Sequence, residues 1–204
     1  MSEPYWGPIG IQLGIGNQEV ANNRIENMYA QGGKYGADGG AIEIDDGRYH
    51  KDNINIHGNI TVHNMGFIEV SYWDDIEMMS SSNITIEYNT SRDYQSFLLW
   101  WAPTDGSRIK NNTIIRDDNE IEGHWNTVFI IDEPPGDIEF HQNIIVVDND
   151  QTRAIFSEGF NGAIYDIIHT DNCYWNVDGG DINLGLSTYG DGEINADPLF
   201  VNYT

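Results

Sequence analysis

The chain of 204 residues carries 33 Asp and Glu against 9 Lys and Arg, a formal charge of −24 at pH 7. Nucleic-acid backbones and anionic membrane surfaces are held by Lys and Arg, so this balance argues against both as partners; a bare polyuronate would be repelled unless cations intervened. At 39% hydrophobic the chain can still bury a core, and its length suits one domain over residues 1–204, alone or within a longer protein.

Cys173 is the one cysteine and allows no internal disulfide. No apolar run reaches the roughly 18 residues that a membrane-spanning helix needs, so no membrane insertion is expected. Met1-Ser-Glu-Pro4 has neither the basic nor the apolar region of a secretory signal.

In chain order, Ile9, Ile11, Leu13 and Ile15 alternate as a first strand, and residues 18–28 give a first polar turn around Asn23. Residues 30–40 form a glycine-rich loop that leads through Asp38 into Gly40-Ala-Ile-Glu-Ile-Asp45. Then Asn53-Ile-Asn-Ile-His-Gly-Asn59-Ile-Thr-Val62 is followed by Gly66-Phe-Ile-Glu-Val-Ser71, and Asn83-Ile-Thr-Ile-Glu-Tyr-Asn89 restarts the pattern. That is an internal repeat.

One column of the repeat is Asn23, Asn59, Asn89, Asn112, Asn143 and Asn172. An apolar residue stands three positions before most copies, whereas His169 takes that place before Asn172. The gaps are 36, 30, 23, 31 and 29 residues, which fits one coil per repeat with variable loops. A second column holds the strands beginning at Gly40, Gly66, Ser96, Thr127 and Arg153. Alternation along them puts Ile42, Ile68, Leu98, Phe129 and Ile155 inward and Glu43, Glu69, Leu99, Ile130 and Phe156 outward. Asp45, Ser71, Trp101, Asp132 and Glu158 lie two residues further on the same outer face.

Repeats of the form Asn-Ile-x-Ile-x-x-Asn, ending in Ala196-Asp-Pro-Leu-Phe-Val201, resemble the right-handed parallel β-helix proteins of the pectate-lyase-like superfamily. The segment 38–46, followed by His63-Asn64-x-Gly66-Phe67, is similar to β-helix glycosidases. The resemblance implies an all-β, single-stranded right-handed parallel β-helix, and one coil per repeat gives about six to seven coils. It also implies an internal ladder of asparagines at one corner.

Chemistry is expected on the outer face. Glu43 and Asp45 share a strand, and Glu69 on the next coil lies within about 5–7 Å of both. A retaining glycosidase holds its two carboxyl groups about 5–5.5 Å apart. Glu69, beside Phe67 and Trp73, is the expected general acid, Asp45 the nucleophile, and Glu43 the holder of a sugar hydroxyl. Trp73 and Trp101 are candidate stacking platforms, with Asp132, Glu158 and Asp38 along the same cleft. The column offers no Lys, which lowers the reading as a lyase.

No metal site is specified: the six histidines show no zinc-like grouping, and no cofactor is required, although Ca²⁺ is the ion these carboxylates would take. Gly-x-Ser-x-Gly is absent, which argues against a serine or cysteine nucleophile. The expected partner is a polysaccharide or oligosaccharide, outside the cell or at its surface. The alternatives are a carbohydrate-binding module without turnover and a structural β-helix that self-associates end to end.

Overall fold

A computed structural model describes residues 7–31, 37–45, 49–71, 81–101, 105–117, 127–131, 138–148, 154–158 and 167–201. The chain winds as a parallel β-solenoid with three sheets of six, six and seven strands. Sheet 1 contains Ile9–Leu13, Gly40–Ile44, Ile68–Val70, Leu98–Trp100, Thr127–Ile131 and Ala154–Glu158. Sheet 2 contains Glu19–Ala21, Asn55–His57, Thr85–Glu87, Ser107–Lys110, Ile138–His141 and Ile167–Thr170. Sheet 3 contains Arg24–Glu26, Ile60–Val62, Thr90–Arg92, Thr113–Arg116, Ile144–Val147, Cys173–Asn176 and Ile194–Asn195. Ala30–Gln31 and Ala37–Asp38 form a small antiparallel pair in the glycine-rich loop.

Four turns, 40–62, 68–92, 98–116 and 127–147, give a strand to every sheet and are paired on both sides. The solenoid therefore has about four complete turns, fewer than the six to seven expected. That expectation also counted the terminal passes. The first has one neighbour, and the last is closed by residues 182–196: Ile155 N donates to Asn183 O, Phe156 bridges Gly185, and Ile194–Asn195 pairs with Cys173 and Tyr174.

Alternation places one residue in two inside. Sheet 1 stacks Ile11, Ile42, Ile68, Leu98, Phe129 and Phe156 in register, and sheet 2 stacks Val20, Ile56, Ile86, Ile109, Phe140 and His169. Aromatic rings run along this interior, with Phe67 and Phe97 at 4.7 Å, Phe129 and Phe140 at 4.3 Å, and Phe156 and His169 at 4.7 Å between centroids. Trp100 is fully buried, as its inward register requires.

The last strand of sheet 1 corrects the sequence register. Ala154 pairs with Thr127, so Phe156 joins the inward column and Ser157 turns outward. A slip of one residue reverses every side chain. Cys173 is half-buried on the outer side of sheet 3, while Tyr174 beside it is fully buried.

The bends between sheets 2 and 3 share one conformation. Asn22, Gly58, Tyr88, Asn111, Gln142, Asp171 and Gly192 all have φ between 55° and 72°. Asn, Asp and Gly tolerate this left-handed region better than other residues, which is why they recur here. The next residue in six of these bends is a ladder asparagine. Each Nδ2 donates to the Oδ1 one coil on: Asn23 to Asn59, then Asn89, Asn112, Asn143 and Asn172, at 3.0–3.1 Å. The same oxygen also accepts the backbone N–H of the preceding rung at 2.9–3.0 Å. Asn172 closes the ladder on Glu193 Oε1 at 2.6 Å.

The Asn turns thus fold the segment the repeat predicted, but Ala196–Val201 does not join a strand. Leu199 and Val201 are among the most exposed apolar residues described.

Candidate functional site

The acidic strip on sheet 1 is short. Glu43 and Glu69 are direct register partners, flanked in the same outer column by Gln12 and Leu99. Beyond them the face is no longer open: Leu99 and Ile130 are 8% and 3% exposed, which confines an accessible carboxylate strip to the early coils. Trp101 Nε1 donates to Glu69 Oε1 at 3.1 Å, joining indole and carboxylate on one face.

Asp45 lies one residue past its strand, where its N–H still pairs with Leu13 O at 3.0 Å. Ser71 and Trp101 take the same place on the next two coils, bonding Ile44 O and Val70 O. Glu69 is therefore diagonal to Asp45. Asp45 Oδ1 is buried and has no hydrogen-bond partner among the described residues. A buried acceptor of this kind needs a partner, and a ligand hydroxyl is one that would serve.

The other expected site residues divide in three. Trp73 and Asp132 lie outside the described residues. Asp38 falls in the antiparallel pair with Ala30 as its partner, at the entry to the Glu43 strand. Glu158 pairs with Ile131 and not with the position after it, so it leaves the column of Asp45, Ser71 and Trp101. The same one-residue slip that turned Phe156 inward removes it.

A shallow cleft of about 400 Å³ lies elsewhere, on the outer face of sheet 2, lined by Asn53, Asn55, Asn83, Thr85, Glu87 and Lys110. Its floor carries an exposed amide run, Asn83 to Asn53 to Asn17, and a Lys110–Glu87 ion pair at 3.3 Å. It does not reach the sheet 1 carboxylates. Among the described residues no group of three or more His, Cys, Asp or Glu could hold a metal ion.

Two buried charges, Asp93 just past a sheet 3 strand and Arg116 at the end of another, were missed by sequence reasoning. Asp93 is 2% exposed and Arg116 is 3% exposed. Asp93 Oδ1 accepts the backbone N–H and side-chain amide of Asn64 at 2.9 and 2.7 Å, and its Oδ2 accepts the Thr61 and Ser91 hydroxyls at 2.6 Å each. Arg116 donates to Ser91 O, Ser91 Oγ, Ile115 O and Gln95 O. Burial pushes the Arg116 guanidinium down to about 10, against the pull of Asp93 and Asp117. It remains charged at neutral pH and is satisfied by carbonyls, so it is a structural cation. The only sequence signal was two hydroxyl residues, Thr61 and Ser91, at inward positions of sheet 3.

Compared with known proteins, the chain matches no family model, no curated protein and no solved structure.

Proposed function

We propose that this β-solenoid is a carbohydrate-active protein that hydrolyses a glycosidic bond at the sheet 1 carboxylates. The observation that carries the reading is the register of Glu43 against Glu69, with Trp101 bonded to Glu69 and Asp45 on the diagonal. Paired carboxylates on adjacent strands are the minimum that glycoside hydrolysis requires. An indole beside them offers a face on which a sugar ring stacks. The resemblance to right-handed β-helix glycosidases of the pectate-lyase-like superfamily points to the same two strands.

The Trp101 N–H bonds Glu69 and holds its carboxyl against the indole. Glu69 is the general acid that protonates the leaving oxygen and Asp45 the nucleophile, the roles expected from sequence. Glu43 accepts a sugar hydroxyl. The substrate is a neutral polysaccharide or oligosaccharide outside the cell or at its surface, because the chain's charge of −24 disfavours a bare polyuronate. No cofactor is needed. If Ca²⁺ bridges the acids instead, the melting temperature in Ca²⁺ will exceed that in EDTA.

Reducing-sugar release across a polysaccharide panel tests the reading, with Asp45→Asn and Glu69→Gln made separately. Each variant should lose at least about 100-fold in rate. Wild-type rates in both would remove these residues from catalysis. A second reading, saccharide binding without turnover, is favoured by the closed Trp101–Glu69 bond. It predicts retention on a polysaccharide column that Trp101→Ala abolishes, with no sugar released. End-to-end stacking is weaker, because residues 182–196 already cover the last coil.

A further inference from the structure

The strap that closes the last coil builds a cluster the sheet 1 reading does not use. His169 stands in sheet 2 where the repeat has Phe140 and Ile109 on earlier coils. Its Nδ1 is 3.0 Å from Glu193 Oε1, and its Nε2 is 2.5 Å from Ser187 Oγ. The His169 and Glu193 side chains are 9% and 0% exposed. Ser187 is half-buried, with Leu186 and Tyr189 exposed on either side.

Local sequence explains how these three groups meet. Ser187 and Glu193 sit on one tight strap, Ser187-Thr-Tyr-Gly-Asp-Gly-Glu193. A Cβ on Gly190 would lie 2.0 Å from His169 O, and one on Gly192 would lie 2.1 Å from Asp171 Oδ1. Gly192 also has φ of 72°. Only glycine lets the strap press against the His169 strand this closely.

Glu193 is over-determined. Its Oε1 accepts from Asn172 Nδ2 at 2.6 Å and Tyr174 OH at 2.7 Å besides His169, and its Oε2 accepts Gly190 N–H at 2.8 Å. Burial pushes its carboxyl up, but bonds from His169, Asn172, Gly190 and Tyr174 outweigh burial and hold it below the ordinary range. Burial and the Glu193 charge push the Tyr174 hydroxyl far above its ordinary range, so Tyr174 acts only as a donor. An ionised Glu193 fixes the proton of His169 on Nδ1. Nε2 is then free to accept from the Ser187 hydroxyl.

We propose that Ser187, His169 and Glu193 form a nucleophile, base and orienting acid that hydrolyse small acyl esters at the C-terminal end of the solenoid. The nucleophile–base and base–orienter bonds are both present, and the roles follow from geometry without a sequence signature. Ser187 Oγ attacks the ester carbonyl carbon and its proton passes to His169 Nε2. The bond to the leaving alkoxy oxygen breaks, and that oxygen takes the proton from His169 and departs as the alcohol. Water then attacks the acyl-serine, giving its proton to Nε2. The acyl–Oγ bond breaks, Ser187 recovers the proton, and the carboxylic acid leaves. Leu186 and Tyr189, exposed next to Ser187 along the strap, favour a short apolar acyl group.

The full chain is treated with a fluorophosphonate probe and digested, and p-nitrophenyl acetate and butyrate hydrolysis is followed in parallel. The expected result is a label on the peptide carrying Ser187 and saturable hydrolysis. Ser187→Ala should lose the label and at least about 100-fold of the rate, with an unchanged melting temperature. A probe that labels no serine, or another serine, overturns the proposal. So does a Ser187→Ala protein that hydrolyses both esters at the parent rate. Labelling is read on the unmutated protein, so it does not depend on how well the variant folds.

Discussion

Two corners of the solenoid solve the same problem differently. Where sheet 2 turns into sheet 3, six neutral amides repeat one bond from Asn23 to Asn172. After sheet 3 a similar ladder starts, with Met28 N–H donating to Asn64 Oδ1 and Asn64 Nδ2 reaching back to Ile25 O. It stops one coil later on Asp93. An amide both donates and accepts, so it can be followed by another amide without limit. A carboxylate only accepts, so it must be the last rung. The long ladder obeys the same rule, since it too ends on a carboxylate, Glu193. What differs is the cost of ending. At the Asp93 corner, hydroxyls and the buried Arg116 surround the charge. At the other end, His169, Tyr174 and Gly190 surround it.

The sharpest way to break this contrast is Asp93→Ala. It strands the Thr61 and Ser91 hydroxyls and the Asn64 amide, and it leaves Arg116 without its buried counter-charge. A loss of about 3–5 kcal/mol in urea unfolding is expected. A cost below that of a single amide rung would mean that Arg116 is held by its carbonyls alone.

Asn112→Leu breaks one rung in the middle of the long ladder. The neighbouring amides of Asn89 and Asn143 lose partners, at about 1–3 kcal/mol. Equal stability would mean that the ladder is a consequence of the coil geometry and not a support for it.

Acid should act on the long ladder through its terminal rung, as one group's titration. Glu193 is held below its unfolded value, which lies near 4.5. Its contribution to stability is complete above that pH and is lost as pH falls through the lower folded value. Melting curves from pH 6 downward should therefore fall more steeply for the parent than for Glu193→Gln. Parallel curves would show that Glu193 titrates alike in folded and unfolded chains.

The smallest effect belongs to Arg92, whose guanidinium meets Asp117 at 2.9 and 3.1 Å outside the corner. At 37% exposure the pair is screened by water, and Arg92→Ala should cost no more than about 1 kcal/mol. A larger loss would extend the ionic corner outward to include this pair.

The repeat is legible in the amino-acid order alone. An Asn amide can bond both ways along a coil axis, so a recurring Asn at six bends marks the ladder in the sequence itself. Alternation likewise showed the inward columns of Ile and Phe and placed Glu43 beside Glu69. Register, termination and the side-chain clusters arise only when the coils stack. Nothing in Ala154-Ile-Phe-Ser-Glu158 distinguishes a start at Arg153 from one at Ala154, since each alternation mixes apolar with polar residues; only pairing with Thr127 turned Phe156 inward and removed Glu158. Coil count followed from which passes have neighbours on both sides, a property of stacking. His169 was visible as a departure from the apolar place, but its meaning was not. Ser187 and Glu193 are 18 and 24 residues away along the chain and meet it only because two glycines let the strap close on the last coil. Periodic patterns record what every coil must satisfy; the ends of a solenoid satisfy different demands, and those are settled by contacts that no period encodes.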